Sequence, residues 1–168
     1  MPTTLTSIPA GRWVVDPAAG KLAFSSRSMW GLLNVRGTFS RYSGTLDADA
    51  DGVARGELVV ETASLDTGHE KRDEHLRDDD FFAAAANPTL TFTLASVTDA
   101  ATFSGALRIR DKELPIAGPL VIEQRGDRIV LSTDVKVDRM EAGLGWNKAG
   151  MIRGPAKLHA EVVLSRLA

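Results

Sequence analysis

Three histidines, a run of three aspartates and one tight cluster of opposite charges are the groups in this sequence that could do chemistry. His69 and His75, with Asp73 or Asp78 nearby, would supply part of a zinc ligand set, which needs three or four convergent donors. No His-x-His or His-x-x-x-His spacing supports that reading, and His159 lies far off in an alternating segment. The expected roles are a surface position for His69, a hydrogen bond within its own segment for His75 and an exposed polar face for His159. Asp78, Asp79 and Asp80 look like a chelating triplet, but the glycine and glutamate of a calcium loop are missing. No metal and no cofactor is therefore expected. Serines occur without a Gly-x-Ser-x-Gly elbow, and paired carboxylates fall only in charge runs, so no catalytic residue is assigned. Arg72, Asp73 and Arg77 remain. They could form a functional charge cluster. The favoured reading is structural: Asp73 accepts backbone N–H bonds near a helix start and the arginines clamp loop carbonyls.

Most of these groups sit in one stretch, Ser64 to Phe92, that interrupts an otherwise alternating chain. Charges fill Glu70 to Asp80, with Leu76 as the one apolar interruption, and Phe81 and Phe82 close the run. The pattern predicts a short helical crossover with its charges in water. Leu76 and at least one phenylalanine would plug into the core, with Leu65 helping at the start.

On either side the period is two. Leu90, Phe92 and Leu94 alternate with Thr89, Thr91 and Thr93, the cleanest strand in the chain. Leu22 with Phe24, Val35 with Gly37 and Phe39, Leu58 with Val60, Leu107 with Ile109, and Leu158 through Leu164 follow the same rule. Between Phe39 and Leu46 the apolar set moves from odd to even positions, which calls for a bulge, expected at Ser43-Gly44. Pro115 and Pro119 predict an irregular or edge strand. Turn signals at regular spacing separate the runs, and many antiparallel strands with one helical interruption describe an up-and-down barrel. About eight strands make a barrel that either fills with side chains or holds one small ligand. Gly37, Gly56, Gly105 and Ala160, at inward parity, favour leftover volume.

Composition narrows the classes. At 168 residues the expectation is a single domain, residues 11–168, behind a flexible arm of residues 1–10. A net charge of -2 with no basic face argues against a nucleic-acid partner. The absence of cysteine removes disulfides and thiolate chemistry. No secretory leader and no membrane-length apolar run is visible, so a cytoplasmic location is expected.

The crossover also carries a family resemblance. Arg72-Asp73-x-His75-Leu76-Arg77, then Asp80-Phe81-Phe82, Asn87-Pro88 and Phe92, resembles the signature of the YceI-like family. Trp13-x-x-Asp16-Pro17 with Leu22-x-Phe24, Val35-Arg36-Gly37-x-Phe39, Ser64 to Gly68, and Arg139 to Trp146 extend the likeness from about Gly11 onward. Two positions depart from the pattern: Ser28, where the family usually has histidine, and Asp111, where it tends to have a glycine turn. The resemblance implies an all-β, antiparallel, lipocalin-like barrel that binds polyisoprenoids, and it strengthens the expectation of a cavity. Its ligand would be a polyprenyl lipid or the tail of an isoprenoid quinone, bound, sequestered or transported by the barrel. The residues expected around such a chain are Phe24, Phe39, Leu58, Val60, Leu76, Phe81, Phe92, Leu94, Leu107, Ile109 and Trp146. Trp30 and Trp146, in glycine-rich loops, could line the mouth or simply cap the barrel end. A homodimer is expected from the family's tendency to associate and from the edge near Pro115. Two readings of other classes stand beside this one: an enzyme on a barrel scaffold acting on a small apolar substrate, and a filled barrel that binds protein.

Overall fold

Strands form where the chain alternates, because alternation lets one face bury apolar side chains while the other stays wet. The computed structural model describes residues 3–28, 33–51, 53–77, 84–98, 101–109, 112–137 and 153–167. Its strands are β1 (Thr3–Leu5), β2 (Gly11–Val15), β3 (Lys21–Ser28), β4 (Leu33–Phe39), β5 (Tyr42–Ala48), β6 (Ala54–Glu61) and β7 (Leu65–Asp66). After the helix α1 (Glu70–Arg77) come β8 (Thr89–Val97), β9 (Thr102–Ile109), β10 (Lys112–Pro119), β11 (Val121–Arg125), β12 (Arg128–Val137) and β13 (Arg153–Arg166). All strands belong to one curled antiparallel sheet.

The described residues form thirteen strands where about eight were expected, because four of the lines are broken once each and β1 adds a short strand. β2 and β3 pair with successive parts of β13, through Val15↔Leu164 and Leu22↔Ala160. β5 and β4 pair with them in turn, and β6 and β7 with β5 and β4. The sheet continues through β8 and β9 to β10, and β10 runs on into β11, which pairs with β12. Read as continuous lines, these elements are the expected barrel.

The shift of parity falls at Ser40-Arg41, between β4 and β5, and not at Ser43-Gly44. Phe39 and Tyr42 are both buried across that break. Gly44 is held in regular pairing with Leu58, and a Cβ there would lie 2.4 Å from the Glu57 carbonyl oxygen. β10 is also more regular than its prolines suggested. It pairs residue for residue with β9 from Lys112↔Ile109 to Pro119↔Thr102, and the line breaks only after Pro119.

Residues 3–10 are tied down, where a loose arm over residues 1–10 was expected. β1 pairs with β11 through Thr3↔Gln124 and Leu5↔Ile122. Ile8 is buried in the core, which stabilises the segment by about 1.5–3 kcal/mol. The Trp13 indole N–H donates to the Pro9 carbonyl (3.0 Å), and Arg166 donates to that of Ala10 (2.8 Å). Gly11 makes the turn possible. Its φ of +139° is a region other residues avoid, and a Cβ would sit 2.3 Å from an Arg166 nitrogen. The arm therefore closes the end of the barrel remote from α1, over Trp13, Ile122, Ile129 and Leu164.

Candidate functional site

The two halves of the barrel interior differ. In the half closed by the N-terminal segment Trp13, Leu46, Phe103, Ile122, Ile129 and Leu164 are fully buried, with Leu5, Val97, Leu131 and Val162 half-buried beside them. In the half beneath α1, Phe24, Leu58, Leu90, Phe92, Leu114 and Leu158 pack against the core yet remain half-buried. Registered pairs bring them side by side. Phe24 faces Leu158, which faces Val135; Leu58 faces Phe92, Phe92 faces Leu107, and Leu107 faces Leu114. By register with buried residues such as Leu107, these half-buried side chains share the inner face. The result is a continuous half-buried apolar band on that face among the described residues.

Inward glycines do not leave the volume that was expected of them. A Cβ on Gly37 would lie 2.4 Å from the Phe24 ring, and one on Gly105 2.9 Å from the Phe92 ring. The rings occupy the space that the missing side chains release. Phe24 then lies 5.3 Å from Phe39, and Phe92 meets Phe103 edge-on at 5.6 Å.

The crossover holds its loop by dense hydrogen bonding. Asp73 is buried, and its carboxylate accepts from the backbone N–H of Thr67 (2.9 Å) and from the Thr67 hydroxyl. Arg72 donates to the Thr67 hydroxyl (2.8 Å) and carbonyl (3.0 Å). Arg77 donates to the carbonyls of Ala63 (3.2 Å) and Leu65 (2.9 Å). Thr62 and Ser64, also buried, donate to the Asn87 and Glu61 carbonyls. This is the clamp expected of the cluster, with one partner the sequence did not reveal: Thr67. Its methyl group would meet a Cβ on Gly37 at 2.9 Å, so the clamp ends against the same spot as the Phe24 ring. The clamp at the helix thus sets the Thr67 methyl beside the Gly37 backbone.

The histidines have local partners. The His69 ring nitrogen accepts the Arg72 N–H at the start of α1 (3.3 Å), and His159 pairs with Asp134 on the outer face (2.7 Å). Among the described residues no three metal-ligating side chains converge.

Tyr42 is a further buried polar residue. Its side chain is buried, its hydroxyl has no hydrogen-bond partner, and it lies within reach of a Cβ placed on Gly20 (3.0 Å). Burial raises its pKa above 10.0, and the negative charges of Asp16 and Glu161 push the same way.

Of the residues assigned to a ligand from sequence, Phe39, Val60, Leu94, Leu107 and Ile109 are buried in the core. Phe24, Leu58, Leu76 and Phe92 pack against it half-buried. Phe81 and Trp146, like Trp30 and Asp78 to Asp80, lie outside the described residues. Leu90, Leu114 and Leu158 belong to the half-buried band and were not named, although their alternation with polar neighbours marked them as inward.

A curled antiparallel sheet with an apolar inner face, one end packed and the other roofed by a short helix, is a lipocalin-like barrel. The chain belongs to the YceI-like family, whose domain model matches residues 13–164. β1 and Ile8 lie ahead of the matched segment. Protein YceI of Escherichia coli O157:H7 is 33% identical over 96 residues, covering 54% of this chain and 50% of its own length. A UPF0312 protein of Shewanella denitrificans is 35% identical over 97 residues, covering 56% and 51%. The chain spans about half the length of the curated relatives it matches. BcnA of Burkholderia cenocepacia has a similar fold, with a TM-score of 0.81 at 20% identity over 89% of this chain and 98% of its own. So has a polyisoprenoid-binding domain from Saccharophagus degradans, with a TM-score of 0.74 at 17% identity over 92% and 98%.

Proposed function

We propose that the protein binds a long isoprenoid, a polyprenyl lipid or the tail of an isoprenoid quinone, along the inner face beneath α1, and so keeps it from water or carries it. The observation that bears the most weight is the half-buried band of Phe24, Leu58, Leu90, Phe92, Leu114 and Leu158 on the inner face, set against the fully buried Trp13, Ile122, Ile129 and Leu164 at the other end. Apolar surface left on an inner wall is stabilised by any apolar chain that covers it, at roughly 25 cal/mol for each Å² removed from water. A branched, purely hydrocarbon chain makes no polar demand, and the registered pairs that form the band are apolar. The solved Saccharophagus degradans domain of the same fold is a polyisoprenoid-binding domain, which supports the choice of ligand class. Family and neighbours point to a binding protein more than to an enzyme.

Native mass spectrometry of protein purified without detergent, followed by titration with a fluorescent polyprenyl probe, tests this. The expected result is an apolar adduct, or saturable uptake of the probe by the empty protein. Protein that is folded, empty and indifferent to the probe would overturn the reading.

A further inference from the structure

The sheet has a weak place, and two prolines account for it. β10 pairs with β9 along its whole length, but no ladder joins its other edge to β12 among the described residues, although the two strands adjoin. The direction of β10's backbone groups explains why. The Leu120 N–H donates to Ala101, beside β9 (2.8 Å). The preceding carbonyl, that of Pro119, accepts from the Thr133 hydroxyl of β12 (2.6 Å). Neighbouring residues of a strand point their backbone groups to opposite sides, so the odd positions of β10 face β12. Pro115 and Pro119 are both odd, and proline has no N–H to give. The edge that would zip onto β12 therefore lacks alternate donors, whereas the edge on β9 keeps all of its own.

The strands still lie in register. The β11/β12 pairing ends at Val121↔Ser132, and counting on by single steps places Gly118 opposite Val135. A Cβ on Gly118 would indeed lie 2.6 Å from a Val135 methyl. Side-chain contact thus takes over where hydrogen bonds stop. Behind this seam, on the inner face, stand Leu114, Ile116, Val135 and Val137, continuous with the half-buried band.

We infer that the β10/β12 seam is the route by which a long apolar chain reaches the interior, passing broadside between two strands that no ladder joins among the described residues. The inference rests on the isoprenoid reading above. A chain longer than the barrel, carrying a polar head, would otherwise have to be threaded end-on through the mouth beside α1. Parting β10 from β12 costs apolar contacts and the Thr133 hydrogen bond, and an incoming hydrocarbon replaces the contacts.

The chain has no cysteine, so a disulfide can be placed cleanly. Gly118→Cys with Val135→Cys puts two Cβ atoms within bridging reach across the seam. Oxidation is expected to slow uptake of a long fluorescent polyprenyl probe by about tenfold or more, with recovery on reduction and no change for a probe of a single prenyl unit. Equal uptake of the long probe by the oxidised and reduced forms would overturn the route. Amide hydrogen exchange on the wild type gives a second readout that needs no ligand and no variant. Ala117 and Lys136 should exchange far faster than Glu123 and Val130, which lie in the β11/β12 ladder. Exchange as slow at the seam as in that ladder would sink the seam while leaving the isoprenoid reading intact. Wild-type protein that takes up no polyprenyl probe, with a fast-exchanging seam, would instead remove the isoprenoid reading, and the route with it.

Discussion

The guanidinium of Arg166 lies 4.6 Å from the centroid of the Trp13 ring, pairing the last strand with the second across the closed end of the barrel. The same side chain donates to the Ala10 carbonyl, so one residue holds both the tryptophan and the N-terminal segment. Arg166→Ala removes a partly exposed cation–π contact and a hydrogen bond, and should cost about 1–2 kcal/mol in urea unfolding. Arg166→Lys should recover part of this, since it keeps the charge without the planar fork. No measurable loss in Arg166→Ala would show that the closed end is held by Ile8 and Trp13 burial alone.

Tyr42 is the only tyrosine in the chain, so its ionisation can be followed by ultraviolet absorbance alone. Its pKa is raised above the ordinary 10.0 by burial and by the nearby carboxylates. The sign follows from linkage: the folded state favours the neutral phenol, so this contribution is complete below pH 10.0 and is lost as pH climbs through the raised value. Tyr42→Phe should flatten the stability–pH curve in that alkaline range. At neutral pH it should change stability by less than about 1 kcal/mol, because the hydroxyl it removes has no partner. An unshifted absorbance titration would contradict the assignment.

The Thr67 clamp predicts coupling. Asp73→Ala leaves the Thr67 N–H without its acceptor and should cost about 1–3 kcal/mol. Arg72→Ala and Asp73→Ala both act through Thr67, so the double variant should depart from additivity by about 0.5–3 kcal/mol. Additive losses in a double-mutant cycle would mean that the two side chains hold the loop independently.

Phe92 separates wall from ligand contact. Its ring is half-buried, so Phe92→Ala should cost less than the 3–5 kcal/mol or so of a fully packed phenylalanine, and it should alter chain-length preference. Phe92→Asp places an unpaired charge on the apolar band, and uptake of the polyprenyl probe should collapse. A folded Phe92→Asp protein that binds like the wild type would take Phe92 out of the site.

The inward glycines should not tolerate substitution equally. A Cβ at Gly105 would stand 2.1 Å from the Thr93 carbonyl oxygen, which is backbone and cannot swing away. At Gly118 the obstacle is a Val135 methyl. Gly105→Ala should therefore destabilise by about 1–3 kcal/mol, and Gly118→Ala by less, as read from thermal unfolding.

Strand alternation and the charged crossover were legible in the sequence, because period two and a charge run are local signals. The clamp on Thr67 was half legible. Asp73 and the arginines announced a structural role by type and spacing, but their shared partner lies on the far side of a turn and carries no signal of its own. The position of the bulge was misplaced for a related reason. Glycine at 44 looked like the kink, whereas the chain used Ser40-Arg41 and spent the glycine on a close strand approach. Inward glycines invite the same error over volume, since no pattern in one strand shows that a ring on its neighbour will fill the gap. The N-terminal segment read as an arm because three residues of strand and one isoleucine are too short to give a period.

Phe24 rests on Gly37 and Phe92 on Gly105, each ring lying over a neighbouring strand that has no Cβ beneath it. The space between these rings is consequently shaped by two side-chain rotamers as well as by the spacing of the strands. Its width can change by rotation about two bonds in each ring-bearing side chain while every backbone hydrogen bond stays in place. On the proposed function, guests of different girth would be met by different ring positions while the backbone pairing of the sheet stays unchanged.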